Sequence, residues 1–175
     1  DVYKRQFPYC ETLLERYRFD ERVIAISGSN FVPPSGLTTP DAPFHFAQVP
    51  HIWGWASWRR AWEPYELDIS GWRKHLPLRT LWKRAGKSLA GTMFWASSFE
   101  LLARKQVDTW DGQLVYLAMR KGQLTATSNV NLVENIGFGA GATHTLAVVE
   151  TLPVLPVTLG SEDVQVTVDR KAEAW

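Results

Sequence analysis

One carboxylate in this chain, Asp111, occupies a position that could support acid–base chemistry. It follows Trp110 and precedes Gly112 at the predicted start of a helix, which Thr109 is expected to cap. The helix dipole favours an aspartate in the first turn, and this alone would explain the residue. A carboxylate beside an aromatic ring at the mouth of a cleft could also accept a proton from a substrate hydroxyl. Asp111 is therefore a candidate general base, and the helix-terminus explanation stays open beside it.

Tryptophans form the second group of residues that could bind a ligand. Four of the nine tryptophans lie within residues 51–62, and two of them, Trp53 and Trp55, flank Gly54 at the end of a segment predicted to be extended. A tryptophan ring can fill a core or stack on a sugar or a base, and a glycine permits close approach of another group. Trp53, Gly54, Trp55 and Trp110 are candidate substrate-binding residues, with core packing an equal alternative.

The other half of this segment predicts a short helix. Trp58 and Trp62 are four residues apart, so they are expected to share one helix face and to pack in the core, with Ser57 as the cap. Arg59 and Arg60 point away from that face. Either guanidinium could bind a phosphate, although exposed arginine on a solvated face is the commoner outcome.

A glycine-rich loop follows near residue 140. The candidate substrate-binding residues in this loop are Asn135, Gly137, Phe138 and Gly139, since the backbone N–H groups of such a loop can cradle a diphosphate. A loop of this kind is more often a simple turn. His144 could ligate a metal through its imidazole, but a lone loop histidine is usually only a surface residue.

Composition places the chain among ordinary globular domains. Its 175 residues are enough for one domain with a real core. A net charge of +1 gives no electrostatic sign of a nucleic-acid binder. The single cysteine, Cys10, excludes an internal disulfide framework and fits a reducing compartment. No apolar run approaches the roughly 18 residues that a membrane span needs.

Hydrophobic periodicity predicts helices alternating with short strands, which indicates the α/β class. A proline-rich loop separates the first strand from an extended segment, and a loop-dominated element follows the last helix–strand pair. The predicted helices are Phe7–Tyr17 with Pro8 in the first turn, 78–85, 90–105 and 110–120, the last closed by Gly122. The predicted strands and extended segments are Val23–Ile26, 44–55, 124–127 and an edge strand at 164–168.

Paired acidic residues after an apolar strand, which metal-dependent sugar transfer usually needs, are absent from this sequence. The adjacent acidic pairs are Asp20-Glu21, which precedes its strand, and Glu162-Asp163, which lies near the end of the chain. The sequence therefore contains no acidic metal-binding motif.

Three segments together resemble one family: residues 51–62, Thr109-Trp110-Asp111 with Gln113, and Asn129 through Thr145. They are similar to a group of bacterial nucleotide-diphospho-sugar transferases, glycosyltransferases of the GT-A type, some of which are labelled hemolytic-protein-like. The segment from Phe7 to Glu11 is similar to the helix that follows the acidic metal motif of that family. The resemblance covers about Phe7 to Glu150, with Trp-Gly-Trp and the Gly-Phe-Gly to Thr-His-Thr block as its specific parts.

The resemblance implies a fold and a division of the chain. The fold would be the C-terminal, acceptor-side half of a GT-A domain, an α/β structure with a mixed sheet and flanking helices. The first six residues, which resemble a translated adapter, would lie outside the fold, residues 7–150 would form the domain, and residues 151–175 an extended tail. The absent initiator methionine and acidic motif would both be explained if an N-terminal half carried the nucleotide-binding strands.

The resemblance also implies roles. A fainter likeness to eukaryotic N-acetylglucosaminyltransferase I makes Asp111 the base and His144 a ligand on the metal side, while Gly112 stands where that more distant family has a second acidic residue. The complete enzyme would be inverting, would need Mn²⁺ or Mg²⁺, and would transfer a sugar from a nucleotide-sugar donor to a glycan or other hydroxyl acceptor. The present chain alone is expected to be inactive.

Two rival functions remain. A non-catalytic carbohydrate-binding module could use the same tryptophans if they are exposed. A nucleic-acid binder is disfavoured by the net charge of +1. For the transferase, the resemblance implies no nucleic-acid partner, no transmembrane segment in this chain, and a cytoplasmic location, either free or at the inner face of the membrane.

Overall fold

The computed structural model describes residues 3–134, 153–160 and 164–174 of the chain. Within these ranges the chain is mixed α/β, with one four-stranded mixed sheet and flanking helices, which confirms the predicted class. The helices are α1 (Tyr3–Arg16), α2 (Arg59–Trp62), α3 (Trp72–His75), α4 (Leu78–Arg84), α5 (Leu89–Ala103) and α6 (Asp111–Lys121), with 3-10 turns at Pro34–Gly36 and Ala172–Ala174. The strands are β1 (Val23–Ser27), β2 (Phe44–Ala47), β3 (Trp55–Ser57) and β4 (Leu124–Ser128).

The sheet has the strand order β2-β4-β1-β3, with β1 and β4 parallel at its centre. The outer strands β2 and β3 run antiparallel to their neighbours. The carboxyl ends of β1 and β4 therefore lie at the same edge of the sheet as the first residues of β2 and β3.

Each face of the sheet is covered by a different helix, because side chains alternate along a strand. On one face Ile26, Phe44 and Phe46 pack against Tyr9 and Leu13 of α1. This core also receives partly buried valines from 153–160 and 164–174. They are Val157, Val164, Val166 and Val168.

On the opposite face Ile24 and Ala25 pack against Leu114 and Leu117 of α6. These consecutive residues share a face at an irregularity in β1, where its pairing with β4 shifts register. Beyond α6 a third core joins α3, α4 and α5, with Trp72, Leu81 and Phe99 fully buried at its centre. Burial of such large side chains contributes roughly 1.5–3 kcal/mol each.

The direction of α6 matters for the site. Its C-terminal end turns through Gly122, which has the left-handed φ of 71° that the sequence predicts for a helix-terminating glycine. The chain then enters β4 at Leu124, opposite Val23 at the amino end of β1. The N-terminus of α6 therefore faces the carboxyl edge of the sheet.

Two predicted caps are wrong. Ser57 lies in β3 and its hydroxyl donates to the carbonyl of Ile24, so Trp58 takes the N-cap position of α2 without a side-chain cap. Thr109 does not cap α6 either; Trp110 precedes the first helical residue, and the Thr109 hydroxyl donates to the Asp111 carboxylate instead. In both places the hydroxyl makes a hydrogen bond to another group and does not cap the helix.

Trp58 and Trp62 do not share a face, contrary to the prediction. Trp58 lies before α2, packs against the core on the α1 side and donates its indole N–H to the Leu14 carbonyl at 3.1 Å. Trp62 lies against Tyr65 with ring centroids 5.0 Å apart. The i,i+4 rule fails here because Trp58 has an extended backbone, with φ −115° and ψ 153°.

Other predicted elements differ at their bounds. Helix α1 begins at Tyr3, so Pro8 lies inside it and not in its first turn. The stretch 44–55 is extended only at its two ends. The expected edge strand at 164–168 is reduced to one parallel bridge between Val168 and Phe46. None of the helices in the described ranges is long and apolar enough to cross a bilayer.

Candidate functional site

Two segments that the sequence singled out meet at the carboxyl edge of the sheet. The indole of Trp55 stacks on that of Trp110, with ring centroids 5.7 Å apart and planes 24° from parallel. Trp62 contacts both, at 5.9 Å and 6.1 Å. The Trp110 side is open to solvent, with 42% of the residue exposed. These three rings and Tyr65 are called the aromatic wall below.

The fold itself brings these segments together. Trp55 is the first residue of β3 and lies opposite Ser27, the last residue of β1. Trp110 immediately precedes α6, whose N-terminus reaches the same edge because α6 runs antiparallel to β1 and β4. The stack therefore depends on the strand register and on the packing of α6 against Ile24 and Ala25.

Asp111 lies beside the aromatic wall, partly buried in the first turn of α6. Its Oδ1 accepts hydrogen bonds from the Thr109 hydroxyl and from the Gly112 N–H, the latter at 2.9 Å. Its Oδ2 accepts no hydrogen bond from any residue that the structure describes. One carboxylate oxygen is thus fixed, and the other is free to accept a proton from a bound hydroxyl.

Tyr65 fixes the start of α6 and was not among the residues predicted from the sequence. Its hydroxyl donates to the Trp110 carbonyl at 2.9 Å. Burial, and then the charge of Asp111, raise the pKa of Tyr65 above its ordinary value. The sequence did contain one indication of this role. Tyr65 lies three residues after Trp62, a spacing at which two rings can pack together across the end of a helix.

A row of polar side chains crosses the sheet near this edge. Ser27, Thr127 and His45 are paired in register on β1, β4 and β2. By strand alternation they share the α6 face with Ala25, and all three are buried. The His45 Nδ1 lies 2.7 Å from the Asn129 Oδ1. Burial lowers the pKa of His45 below its ordinary value, and the hydrogen bond with Asn129 opposes part of that shift.

The Trp53 side chain contacts a different set of aromatic rings. It contacts Phe31 at 5.7 Å, and Phe31 in turn contacts His51 at 5.2 Å. Burial, followed by the nearby His45, lowers the pKa of His51 to about 4. Trp53 and Trp55 therefore belong to separate aromatic groups, because the left-handed backbone of Gly54, with φ +57°, interrupts the extended chain between them.

Gly54 is explained by close packing. Its φ is +57°, and a Cβ added there would lie 2.2 Å from the Val133 side chain. Its carbonyl also accepts the Gly28 N–H at 2.9 Å. The space that the sequence assigned to a ligand is occupied by the protein, and a contact between Gly54 and a substrate stays a prediction.

Arg60, one of two arginines considered for a phosphate, is already engaged. Its guanidinium donates to the carbonyls of Tyr17, Arg18, Asp20 and Val23 and lies 4.3 Å from the Trp58 ring centroid. It fixes the turn between α1 and β1. Arg59 is exposed.

Asparagines at the ends of β1 and β4 connect the loops around the site. The Asn129 amide donates to the carbonyls of Thr39 and Ala42, and the Asn30 amide donates to those of Val32 and Asn129. These bonds anchor the proline-rich loop to the sheet. The remaining predicted site residues lie outside the described residues: Asn135, Gly137, Phe138, Gly139 and His144.

A metal ion finds no ligand set in the described part of the chain. No group of three or more histidine, cysteine, aspartate or glutamate side chains is placed to hold one there. The described residues therefore do not fit a metal.

Comparison with known proteins gives no relative: no protein-family model, no curated protein and no solved structure matches the chain.

Proposed function

We propose that this chain is the acceptor-side part of a GT-A type glycosyltransferase that uses a nucleotide-diphospho-sugar donor. The observation that carries the proposal is the Trp55–Trp110 stack, which joins two of the segments that carry the resemblance and leaves Asp111 beside an open aromatic surface. Ligands of open α/β sheets bind outside the carboxyl ends of the strands, where this surface lies.

The proposed chemistry is a single displacement. The acceptor hydroxyl lies against the aromatic wall and gives its proton to the Asp111 Oδ2. Its oxygen forms a bond to the anomeric carbon of the donor, and the bond from that carbon to the diphosphate breaks. The products are the glycoside and a nucleoside diphosphate, which takes the electron pair of the broken bond.

The hydrogen bonds around Asp111 support its proposed role. The Thr109 hydroxyl, the Gly112 N–H and the Tyr65 contact to Trp110 hold the carboxylate and its neighbour in place. Positioning of this kind contributes to catalysis because the base and the hydroxyl are held at reacting distance. The metal dependence implied by the resemblance has no ligand set among the described residues and remains part of the proposal.

The test is the variant Asp111→Asn in the complete reading frame. We expect sugar transfer to fall by at least ~100-fold, because a general base typically contributes that much, while donor binding is unchanged. Asp108→Asn is the matched control, since Asp108 is exposed in the same loop. Release of nucleoside diphosphate measures turnover. If Asp111→Asn keeps full turnover, the residue only stabilises the helix terminus.

A binding module is the second candidate function, and the exposure of Trp110 favours it. A half-exposed indole supported by a second ring is suited to stacking on a sugar. In that case the 175-residue chain would bind a glycan, Trp110→Ala would abolish the binding, and no donor sugar would be consumed. If the complete protein consumes the donor sugar, the result favours the transferase over the binding module.

A further inference from the structure

Charge is distributed unevenly along this chain. Residues 69–99 contain six lysines and arginines and no aspartate or glutamate. Because the whole chain has 19 basic and 18 acidic side chains, the remainder is net negative. The six basic residues are Arg73, Lys74, Arg79, Lys83, Arg84 and Lys87.

This basic segment contains α3, α4 and most of α5. Arg79, Lys83 and Lys87 are exposed, and none of them forms an ion pair with a residue that the structure describes. Lys83 and Lys87 line a cavity of about 650 Å³, to which Arg170 adds another positive charge. Glu173 is the acidic residue on this cavity, and its carboxylate accepts the Gln48 N–H at 2.6 Å.

Large apolar side chains are exposed beside these charges. On α5, Leu89, Met93 and Phe94 are 73%, 62% and 61% exposed. On α4, Leu78 and Trp82 are 50% and 40% exposed and lie four residues apart on one face. The opposite face of α5 buries Phe99 and Leu102 in the third core, so these exposed side chains belong to an outer face.

The outer face of α5 also lacks charge over most of its length. Between Leu89 and Phe99 the helix has no charged residue, and Glu100 is the first. Leaving several large apolar side chains in water costs free energy, and contiguous exposed apolar surface marks an interaction site. We call the five apolar residues together with Arg79, Lys83 and Lys87 the α4–α5 surface.

We propose that the α4–α5 surface docks on a lipid bilayer with anionic headgroups. Leucine, methionine and phenylalanine would enter the boundary of the acyl chains, and Trp82 would lie at headgroup level, where tryptophan is favoured. The lysines and arginine would approach the lipid phosphates, each with an attraction that falls off within a Debye length. This inference is independent of sugar transfer.

Charge complementarity favours this occupant over two others. A second copy of the chain that docked through the same surface would place one positive surface against another, and like charges disfavour that contact. A nucleic acid would attract the same lysines but would not cover exposed leucine and methionine. An anionic bilayer matches both the charge and the aliphatic side chains.

The test is sedimentation of the 175-residue chain with vesicles. We expect binding to vesicles of phosphatidylcholine with phosphatidylglycerol, weak binding to phosphatidylcholine alone, and loss of binding at high salt. Lys83→Glu with Lys87→Glu should weaken binding at least ~10-fold. Met93→Ser with Phe94→Ser should weaken it by a similar factor.

Matched controls lie on other surfaces. Phe19→Ser removes a side chain that is 89% exposed, and Arg59→Glu with Lys121→Glu reverses two exposed charges elsewhere. Both controls should bind vesicles like the unmodified chain. Urea unfolding of each variant confirms that the fold is retained.

Four results would overturn the proposal. They are no binding to anionic vesicles, equal binding to neutral and anionic vesicles, equal loss in the control variants, and binding to single-stranded nucleic acid in place of vesicles. If the chain does not bind vesicles but forms a dimer, and Phe94→Ser dissociates that dimer, the surface binds a second copy of the chain.

Discussion

Tyr65 connects the other rings of the aromatic wall to the helix terminus that carries the proposed base. Its ring packs on Trp62, and its hydroxyl reaches past that ring to the Trp110 carbonyl. It does not contact a reacting atom in the proposed chemistry, so it is a positioning residue. Its effect on turnover must pass through the placement of Trp110 and Asp111.

Tyr65→Phe is expected to lower kcat in the complete protein by up to ~10-fold. The change removes one hydrogen bond, worth about 0.5–1.5 kcal/mol, and loosens the start of α6. KM for the donor should stay unchanged, because the donor does not contact Tyr65 in this proposal. Tyr9→Phe is the control, since its hydroxyl makes only a 3.5 Å contact on the opposite face of the sheet. An unchanged kcat in Tyr65→Phe would remove the positioning role.

At the scale of elements, the turn from α6 into β4 controls where the site residues lie. This turn sets the direction of α6 and so brings Asp111 to the carboxyl edge of the sheet. Gly122 is left-handed there, and an added Cβ would lie 2.1 Å from a guanidinium nitrogen of Arg84. The backbone conformation favours glycine, whereas the guanidinium is the far end of a flexible side chain and can move away from a Cβ.

Gly122→Ala is expected to destabilise the fold by about 1–2 kcal/mol, because a side chain is strained at positive φ. Gly71→Ala is a matched control at φ −87°, where the nearest atom to the added Cβ is 3.9 Å away. That variant should change the free energy of unfolding by less than about 0.5 kcal/mol. Urea midpoints at constant slope measure both values. Equal midpoints for the two variants would contradict this account of the turn.

For the whole molecule, the histidines near the sheet edge link stability to pH. His51 is partly buried with a pKa of about 4, whereas an unfolded histidine titrates near 6.5. The unfolded chain therefore binds more protons between these values. The contribution of His51 to stability is complete above about pH 6.5 and is lost as the pH falls to about 4.

His51→Gln should consequently flatten the pH dependence of unfolding between pH 6.5 and 4. The difference from the unmodified chain should reach on the order of 2 kcal/mol, since one pKa unit corresponds to ~1.4 kcal/mol. His75→Gln, at an exposed position on α3, should keep the original profile. Urea unfolding at pH 7, 5.5 and 4.5 measures the three proteins. Parallel profiles for His51→Gln and the unmodified chain would show that the ring titrates as it does in water.

Local sequence determined most of the elements. The periodicity and the turn residues predicted β1, α4, α5, α6 and β4 to within two residues, because intrahelical hydrogen bonds and strand alternation depend on near neighbours. Gly122 was predicted as a helix end for the same reason, since its left-handed conformation is a property of the residue itself. The α/β class followed from the alternation of these elements.

Only the tertiary structure decided which of the singled-out residues meet. Trp55 and Trp110 are far apart in sequence, and their stack follows from the pairing of β3 with β1 and the packing of α6 on that pair. Contacts between distant segments also placed Trp53 against Phe31, Trp58 against the core on the α1 side, and Val133 against Gly54. Residue types alone identified the candidate carboxylate and the candidate rings. The arrangement of these groups in space depends on contacts between distant segments, and a local sequence pattern does not contain that information.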